Sequence, residues 1–464
     1  MFKFALTVTA FIGGGILVAS AGFAQSLPPE RQITSSPRNH MLDNNDNFSA
    51  DGRFLCYDTR ETSGPGIDNS QAIEKVEIAT GKETVLYAPK TQTGAQPAPG
   101  IGAASYCPVA DKVVFIHGPL LEQVAERGPY AKTNRTGVEV SADGSQALTR
   151  LDARDVDNTR LTTPGAHRGG THRHEYTADG KRIGFTYDDH LLPNYDRTIG
   201  YMEANPKAPA GVTHYFAALV PIAPRGTSRA GELEKAAGDS WVGRQGLMRA
   251  FIGKVRCDDG TTYEDSLFVV DIPASVDITT AHSGGSGLFP APPAGVHVRR
   301  LTHAHAEGIV RGAPSGDRIA YLAAGEDGTR QIYVIASDGS DKDENPAKRP
   351  FQLTELPKGV TGDLRWHPSG NSIACISNNG IVTTCVAPGP RFGQSVFLTA
   401  QGDAPERSQL VWSPDGATLA YCKPAPTRDA NGQPAKTYNG KDCVQIFTIA
   451  FPDANKDGIA DLAS

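Results

Sequence analysis

Apolar and polar positions alternate through most of the chain in short runs, and turn residues break the runs at recurring points. The period of two predicts β-strands with one face buried. One phrase sets the rhythm: an aromatic or apolar residue, a hydroxyl residue or Pro, a Gly-containing turn, then an alternating apolar strand. It reads Phe48-Ser49-Ala50-Asp51-Gly52 before Phe54-Leu55-Cys56-Tyr57, and Tyr176-Thr177-Ala178-Asp179-Gly180 before Ile183-Gly184-Phe185. It returns as Ala313-Pro314-Ser315-Gly316-Asp317, Trp366-His367-Pro368-Ser369-Gly370 and Trp412-Ser413-Pro414-Asp415-Gly416, with a degenerate copy at Cys107-Pro108-Val109-Ala110-Asp111. Pro pre-sets the turn, Gly supplies positive φ, and the following run packs in a sheet.

A third strand and a Leu-Thr tail follow several copies. Gln331-Ile332-Tyr333-Val334-Ile335 leads to Gln352-Leu353-Thr354, and similar tails are Arg160-Leu161-Thr162, Arg300-Leu301-Thr302 and Phe397-Leu398-Thr399. The copies start near residues 48, 105, 174, 309, 363 and 410. Four-stranded units repeating roughly every 45 to 65 residues predict an all-β fold, a β-propeller with antiparallel blades. Residues 226–300 lack the phrase but carry the strand-like runs Leu247 to Val255 and Ser266 to Asp271. Counting this stretch as a divergent blade gives seven blades, with six or eight left open. Two inserts interrupt the pattern: Arg225 to Gly246, where Glu232 to Ala237 reads as a helical turn, and the polar loop Pro424 to Asp442.

Composition adds compartment rather than chemistry. A net charge of -6 and a pI near 6.1 argue against nucleic-acid binding. Lys3, the apolar run from Phe4 to Val18 and the small residues up to Ala24 describe a secretory signal peptide over residues 1–24. The expected organisation is therefore a cleaved leader, a propeller over residues 25–451 and a polar tail over residues 452–464, in a periplasmic or secreted protein without stable membrane insertion. Seven cysteines in an exported chain leave at least one unpaired. Cys375 with Cys385, and Cys422 with Cys443, are the two pairs the strand pattern would allow; the alternative is that all seven are small core residues.

The repeat phrase, the Ile-Tyr-Val strand and the Leu-Thr tail together resemble TolB-type propeller repeats. More specifically, Gly169-Gly170-Thr171-His172-Arg173-His174 running into Phe185-Thr186-Tyr187-Asp188-Asp189, Trp241-Val242-Gly243 with Ala250 to Val255, and Arg299-Arg300-Leu301-Thr302 resemble the bacterial family known as domain of unknown function 3748. The resemblance implies a fold, not an activity, because propellers host many unrelated functions.

Candidate chemistry rests on histidines and carboxylates. His172 and His174 are two apart on a predicted strand, which places both imidazoles on one face, where they could ligate a divalent transition metal with His190. Asp188 and Asp189 end the next strand, and Arg168 beside Gly169-Gly170 is placed to grip a ligand carboxylate while the glycines admit the ligand to the backbone. His303 and His305 form a second pair that could line the same mouth. A distant resemblance to propeller-fold oligogalacturonate lyases implies a metal that neutralises a uronate carboxylate, although Gly169 stands where their pattern has a further ligand. At the C-terminus Asp453, Asn455, Asp457 and Asp461 have the spacing of a calcium loop, without the closing Glu of an EF-hand. No nucleophile elbow or phosphate-binding glycine loop is present in a convincing context. The leading expectation is an exported scaffold that binds a protein or polysaccharide on one propeller face. The alternative is a metal-dependent lyase acting on uronate-containing oligosaccharides.

Overall fold

The repeat phrase closes each inner hairpin through its own side chains. In the computed structural model of the chain, which describes residues 27–43, 46–60, 66–70, 72–89, 99–285, 287–403 and 405–461, Ser413 Oγ donates to Asp415 at 2.6 Å and accepts the Thr418 N–H at 3.0 Å. Ser49 with Asp51 and Thr177 with Asp179 repeat this arrangement at 2.6 Å. Gly52, Gly180 and Gly416 follow at φ of 69–73°, a conformation that excludes most other residues.

Among the described residues seven antiparallel blades result, each starting at the channel and ending at the rim, and a separate two-stranded hairpin, Thr427–Arg428 with Pro434–Ala435, lies in the loop expected at Pro424 to Asp442. Blade 1 is Phe54–Asp58, Ile73–Glu77 and Glu83–Tyr87, with its innermost segment joined through the Met41↔Asp58 and Phe48↔Leu55 bridges. Blade 2 begins with Ile101–Tyr106, blade 3 with Gly169–Tyr176, blade 4 with Leu233–Val242, blade 5 with Glu307–Gly312, blade 6 with Gly362–Trp366 and blade 7 with Ser408–Trp412. Blade 4 is the divergent unit inferred between residues 226 and 300. Its first strand includes Glu232 to Ala237's Leu233–Ala237 portion, so the helical turn expected there is a strand; Leu233 and Ala236 are buried against blade 3 residues Ile199 and Tyr201, and that packing overrides local helix propensity. One short α-helix, Val124–Arg127, is present among the described residues, beside single turns of 3-10 helix. None of the described helices is long and apolar enough to cross a membrane.

The ring closes in a way the repeats alone do not reveal. Arg31–Gln32 supplies the outermost strand of blade 7, pairing with Val444–Ala450 in the register Arg31↔Thr448 and Gln32↔Phe447. Gln32-Ile33-Thr34 is thus the missing tail of the last repeat, displaced to the start of the chain. Thr34 Oγ1 accepts the Ile446 N–H at 2.9 Å, as Thr354 does for Ile332 and Thr399 for Ile381. Glu30 reinforces the junction through Arg407 and Lys423, both at 2.7 Å, and Tyr421. The leader, residues 1–24, lies outside the described residues.

The core is not one mass but a seam at each blade junction. Cys107, Val114, Phe185 and Phe216 join blades 2 and 3; Leu322, Leu364, Trp366 and Val382 join blades 5 and 6; Ile33, Leu55, Val411 and Ile446 join blades 7 and 1. Indoles stitch three junctions, 3–4, 5–6 and 6–7: the N–H of Trp241 donates to Glu175 O, that of Trp366 to Arg311 O (both 2.9 Å) and that of Trp412 to Arg365 O (3.4 Å). No disulfide joins the seven cysteines among the described residues. Cys375 faces Val382 across its hairpin and Cys385 faces Ser372, while Cys422 faces Ile446, so neither expected pair is opposed in register.

Candidate functional site: the channel and its cationic end

Every innermost strand from blade 2 to blade 7 contains a β-bulge centred on a residue of positive φ: Ala103, Arg173, Gly238, Gly308, Asp363 and Gln409. A bulge adds one residue and reverses the side-chain parity beyond it. In blade 3 the bulge falls at Arg173, with φ of 58°, between the two histidines. His172 and His174 therefore do not share a face, contrary to the strand-alternation expectation. His174 is buried in the seam with blade 2, where its Nε2 lies 3.1 Å from Thr171 Oγ1 and its ring meets Phe185. A Cβ on Gly137 would stand 2.7 Å from that nitrogen, so Gly137 makes room for the ring.

Three other expectations change for equally local reasons. Arg168 is buried and donates to Asp189 at 2.7 Å, and Asp189 also accepts the Tyr187 hydroxyl and the N–H groups of Leu191 and Leu192. The two groups are thus bound to each other, while Arg168 Nε has no hydrogen-bond partner. The Gly169-Gly170 pair admits protein, not ligand: a Cβ on Gly169 would overlap the Asp188 carbonyl, and one on Gly170 the Lys132 carbonyl. His303 pairs with Asp341 at 2.9 Å in the loop before the outer strand of blade 5, while His190 contacts Thr133 at 3.4 Å. Among the described residues no group of three or more His, Cys, Asp or Glu stands close enough to hold a metal ion. At the C-terminus Asp453 accepts the N–H groups of Asp457 and Gly458, Asp457 accepts that of Ile459, and Asp461 accepts that of Ala454. This capping ties the tail beneath blade 6, where Ser372 Oγ donates to Gly458 O at 2.6 Å. Residues 462–464 lie outside the described residues.

What the fold does gather around His172 is positive charge. Asp188 accepts from Arg197 at 2.7 Å, with Arg135 at 3.7 Å and Lys132 at 3.9 Å, so three cations surround one carboxylate. Arg135 is 5% exposed; Nη1 donates to Tyr130 Oη at 3.0 Å, while Nε and Nη2 have no hydrogen-bond partner. Burial lowers the pKa of Arg135. Burial, followed by Arg135, Arg197 and Arg173, holds His172 well below the ordinary imidazole range, so the ring is neutral at pH 7. His174 is brought down to about 4, again chiefly by burial. Asp152 organises the seam behind them, accepting from Thr171 at 2.6 Å and Gly137 at 3.0 Å with His167 at 3.7 Å. Burial pulls its pKa upward, but His167 and His174 outweigh it and leave it lowered.

The opposite end of the channel is a cavity of about 390 Å³ lined by the aromatics Tyr176, Trp241, Trp366 and Trp412, with Asp46, Glu175, Arg311 and Arg365. Asp46 is open to the lumen yet enclosed by the ring, and that enclosure raises its pKa against the opposing pull of Arg365. Behind Glu175, buried Arg249 spans Glu175 at 3.0 Å and Asp239 at 2.6 Å and lies over the Trp241 ring. Sequence reading missed Arg135, Arg197 and Lys132, since lone basic residues in three separate segments carry no local signature.

Comparison with known proteins follows this geometry. Residues 100–213, blade 2 and the three inner strands of blade 3, match the family described as protein of unknown function DUF3748. The uncharacterized protein YidR of Escherichia coli strain K12 is 31% identical over 422 residues, covering 84% of this chain and 94% of YidR. Among solved structures, an oligogalacturonate lyase in complex with manganese superposes with a TM-score of 0.52 at 10% identity, over 92% of this chain and 94% of that one. TolB from Acinetobacter baumannii gives 0.36 at 14% identity, over 66% of this chain and 54% of TolB. At these identities the likeness concerns the fold.

Proposed function

The chain belongs to the DUF3748 family, and from that premise we propose that it is an exported, non-catalytic propeller that binds an acidic polysaccharide at the cationic end of its channel. The observation that carries the reading is Arg135, a buried guanidinium with two donors that lack a hydrogen bond, its Nη2 reaching only to 3.7 Å from a carboxylate already shared by three cations. A buried, under-satisfied cation is costly, and a ligand carboxylate would relieve it through a bidentate contact. Lys132 and Arg197, each reaching solvent, would guide the acidic chain toward it. Neutral His172 would serve as a hydrogen-bonding group and not as a charge.

Export belongs to the same proposal. Cleavage after Ala24 would leave Glu30 and the closing strand Arg31–Gln32 on the mature chain, so processing would preserve the ring. The described donor set does not fit a transition metal. Calcium at the C-terminal loop is a separate proposal resting on the spacing of Asp453, Asn455, Asp457 and Asp461, tested by melting in calcium and in EGTA.

The test is calorimetric titration of the mature protein with oligogalacturonate and with a neutral oligosaccharide of equal length. Saturable binding of the acidic chain alone, weakened at least tenfold by Arg135→Ala or Arg197→Ala, is expected. Equal binding of both, or of neither, overturns the reading. A rise in absorbance near 235 nm during incubation would replace it with the lyase reading.

A further inference from the structure

Blade 2 carries a second concentration of positive charge, on its outer flank and away from the channel. The segment Leu121–Arg127, the outer strand Leu148–Arg150 and the connection into blade 3 converge on a cavity of about 390 Å³. Arg127, Arg150 and Arg154 line it. Arg154 is held in place by its Nε, which donates to the carbonyls of Thr133 at 3.3 Å and Gly169 at 3.1 Å. Arg127 contacts Gln123 Oε1 at 3.4 Å. Among the described residues, none of the three arginines forms an ion pair, and the Arg150 guanidinium has no hydrogen bond.

The carboxylates nearby do not neutralise them. Asp152, which also lines the cavity, is committed to Gly137, Thr171 and His167. Glu126, beside Arg127 on the same helical turn, offsets the burial and the repulsion only in part, and Glu122 lies on the preceding turn. Burial, then Arg150, lowers the pKa of Arg127; burial, then Arg127, brings Arg154 to about 10. Arg150 thus repels Arg127, and Arg127 repels Arg154; Arg127 and Arg154 are half-buried, and Arg150 reaches in from the exposed outer strand. Half-buried arginines such as Arg127 and Arg154 are ordinarily paired, so two of them without a carboxylate, with exposed Arg150 lining the same cavity, point to a ligand rather than to packing. The apolar wall, including Leu120 and Val138, would cover the carbon skeleton of that ligand. The volume falls in the range of small-molecule sites, roughly 300–1,000 Å³.

We propose that this flank cavity of blade 2 binds a small organic anion bearing two or more negative charges on carboxylate or phosphate oxygens. Guanidinium forks match both oxyanion geometries. The site is independent of the channel: its arginines are not those around Asp188, and its ligand is compact where the channel ligand is a chain.

Citrate, glycerol 3-phosphate, acetate and glycerol are titrated into the mature protein at matched ionic strength. Saturable binding of citrate or glycerol 3-phosphate, at least tenfold tighter than acetate and with none for glycerol, is expected. Which of the two binds tighter distinguishes a carboxylate from a phosphate ligand. The Arg127→Gln/Arg150→Gln double variant should fold with an unchanged or raised Tm, since repulsion is relieved, and should weaken binding at least tenfold. Arg135→Ala, which should weaken oligogalacturonate, should leave citrate binding intact, so the two sites can fail separately. Absence of saturable binding by either dianion, or binding that the double variant leaves unchanged, overturns the proposal.

Discussion

Replacing Glu30 by Gln tests whether the ring is locked by charge at the point where its two ends meet. Burial alone would raise the Glu30 carboxyl, but hydrogen bonds from Arg407, Lys423 and Tyr421 reverse this and bring its pKa from 4.5 to about 2. A folded-state pKa below the unfolded one means that the stabilisation is complete above pH 4.5 and is lost as pH falls toward 2. Two and a half pH units correspond to about 3.4 kcal/mol in full. The side chain is 23% exposed, and solvent screening reduces the expected value to ~1–2 kcal/mol. Arg407 is not orphaned by the change, because its Nη1 also donates to the carbonyls of Asn379 at 2.7 Å and Ala400 at 3.3 Å. Urea unfolding of the wild type and Glu30→Gln should therefore differ by this amount at pH 7, keep that gap to about pH 5, and converge toward pH 2.5. No gap at neutral pH, or a gap that widens in acid, would refute the reasoning.

Three further outcomes follow from buried contacts. Gly184→Ala should destabilise by ~2–4 kcal/mol, because the added methyl overlaps the Arg249 guanidinium that ties Glu175 to Asp239; a variant melting with the wild type would show that Arg249 can move without cost. Trp366→Phe keeps the ring in the seam but leaves the Arg311 carbonyl without its indole donor, a loss of ~1 kcal/mol; unchanged urea unfolding would deny the stitch any role. Burial pushes the Cys375 and Cys422 thiols up to about 12, so a thiol reagent should modify only half-buried Cys257 in the native protein and all seven cysteines in denaturant; fewer than seven without reductant would reveal a disulfide.

The repeat was legible because each of its determinants is local. Ser413, Asp415 and Gly416 close their turn within six residues, and Ile332, Val334 and Leu353 declare one buried face by alternation. Fold class and blade count, including the divergent fourth blade, followed from such signals. The closing strand had one too, since Gln32-Ile33-Thr34 matches Gln352-Leu353-Thr354, but its partner Val444–Ala450 lies at the other end of the chain.

Side-chain direction and charge pairing were decided elsewhere. Strand alternation placed His172 and His174 together until the bulge at Arg173, which recurs in the inner strands of blades 2 to 7, separated them. Arg168 looked available until the fold brought Asp189 to it, and Arg135 carried no signal until burial stripped it of water and left two donors unpartnered. Turn chemistry and hydrophobic period act over a few residues and are written in the sequence itself; which charges meet, and which are left over, depends on the neighbouring blade and arises only when the ring is closed.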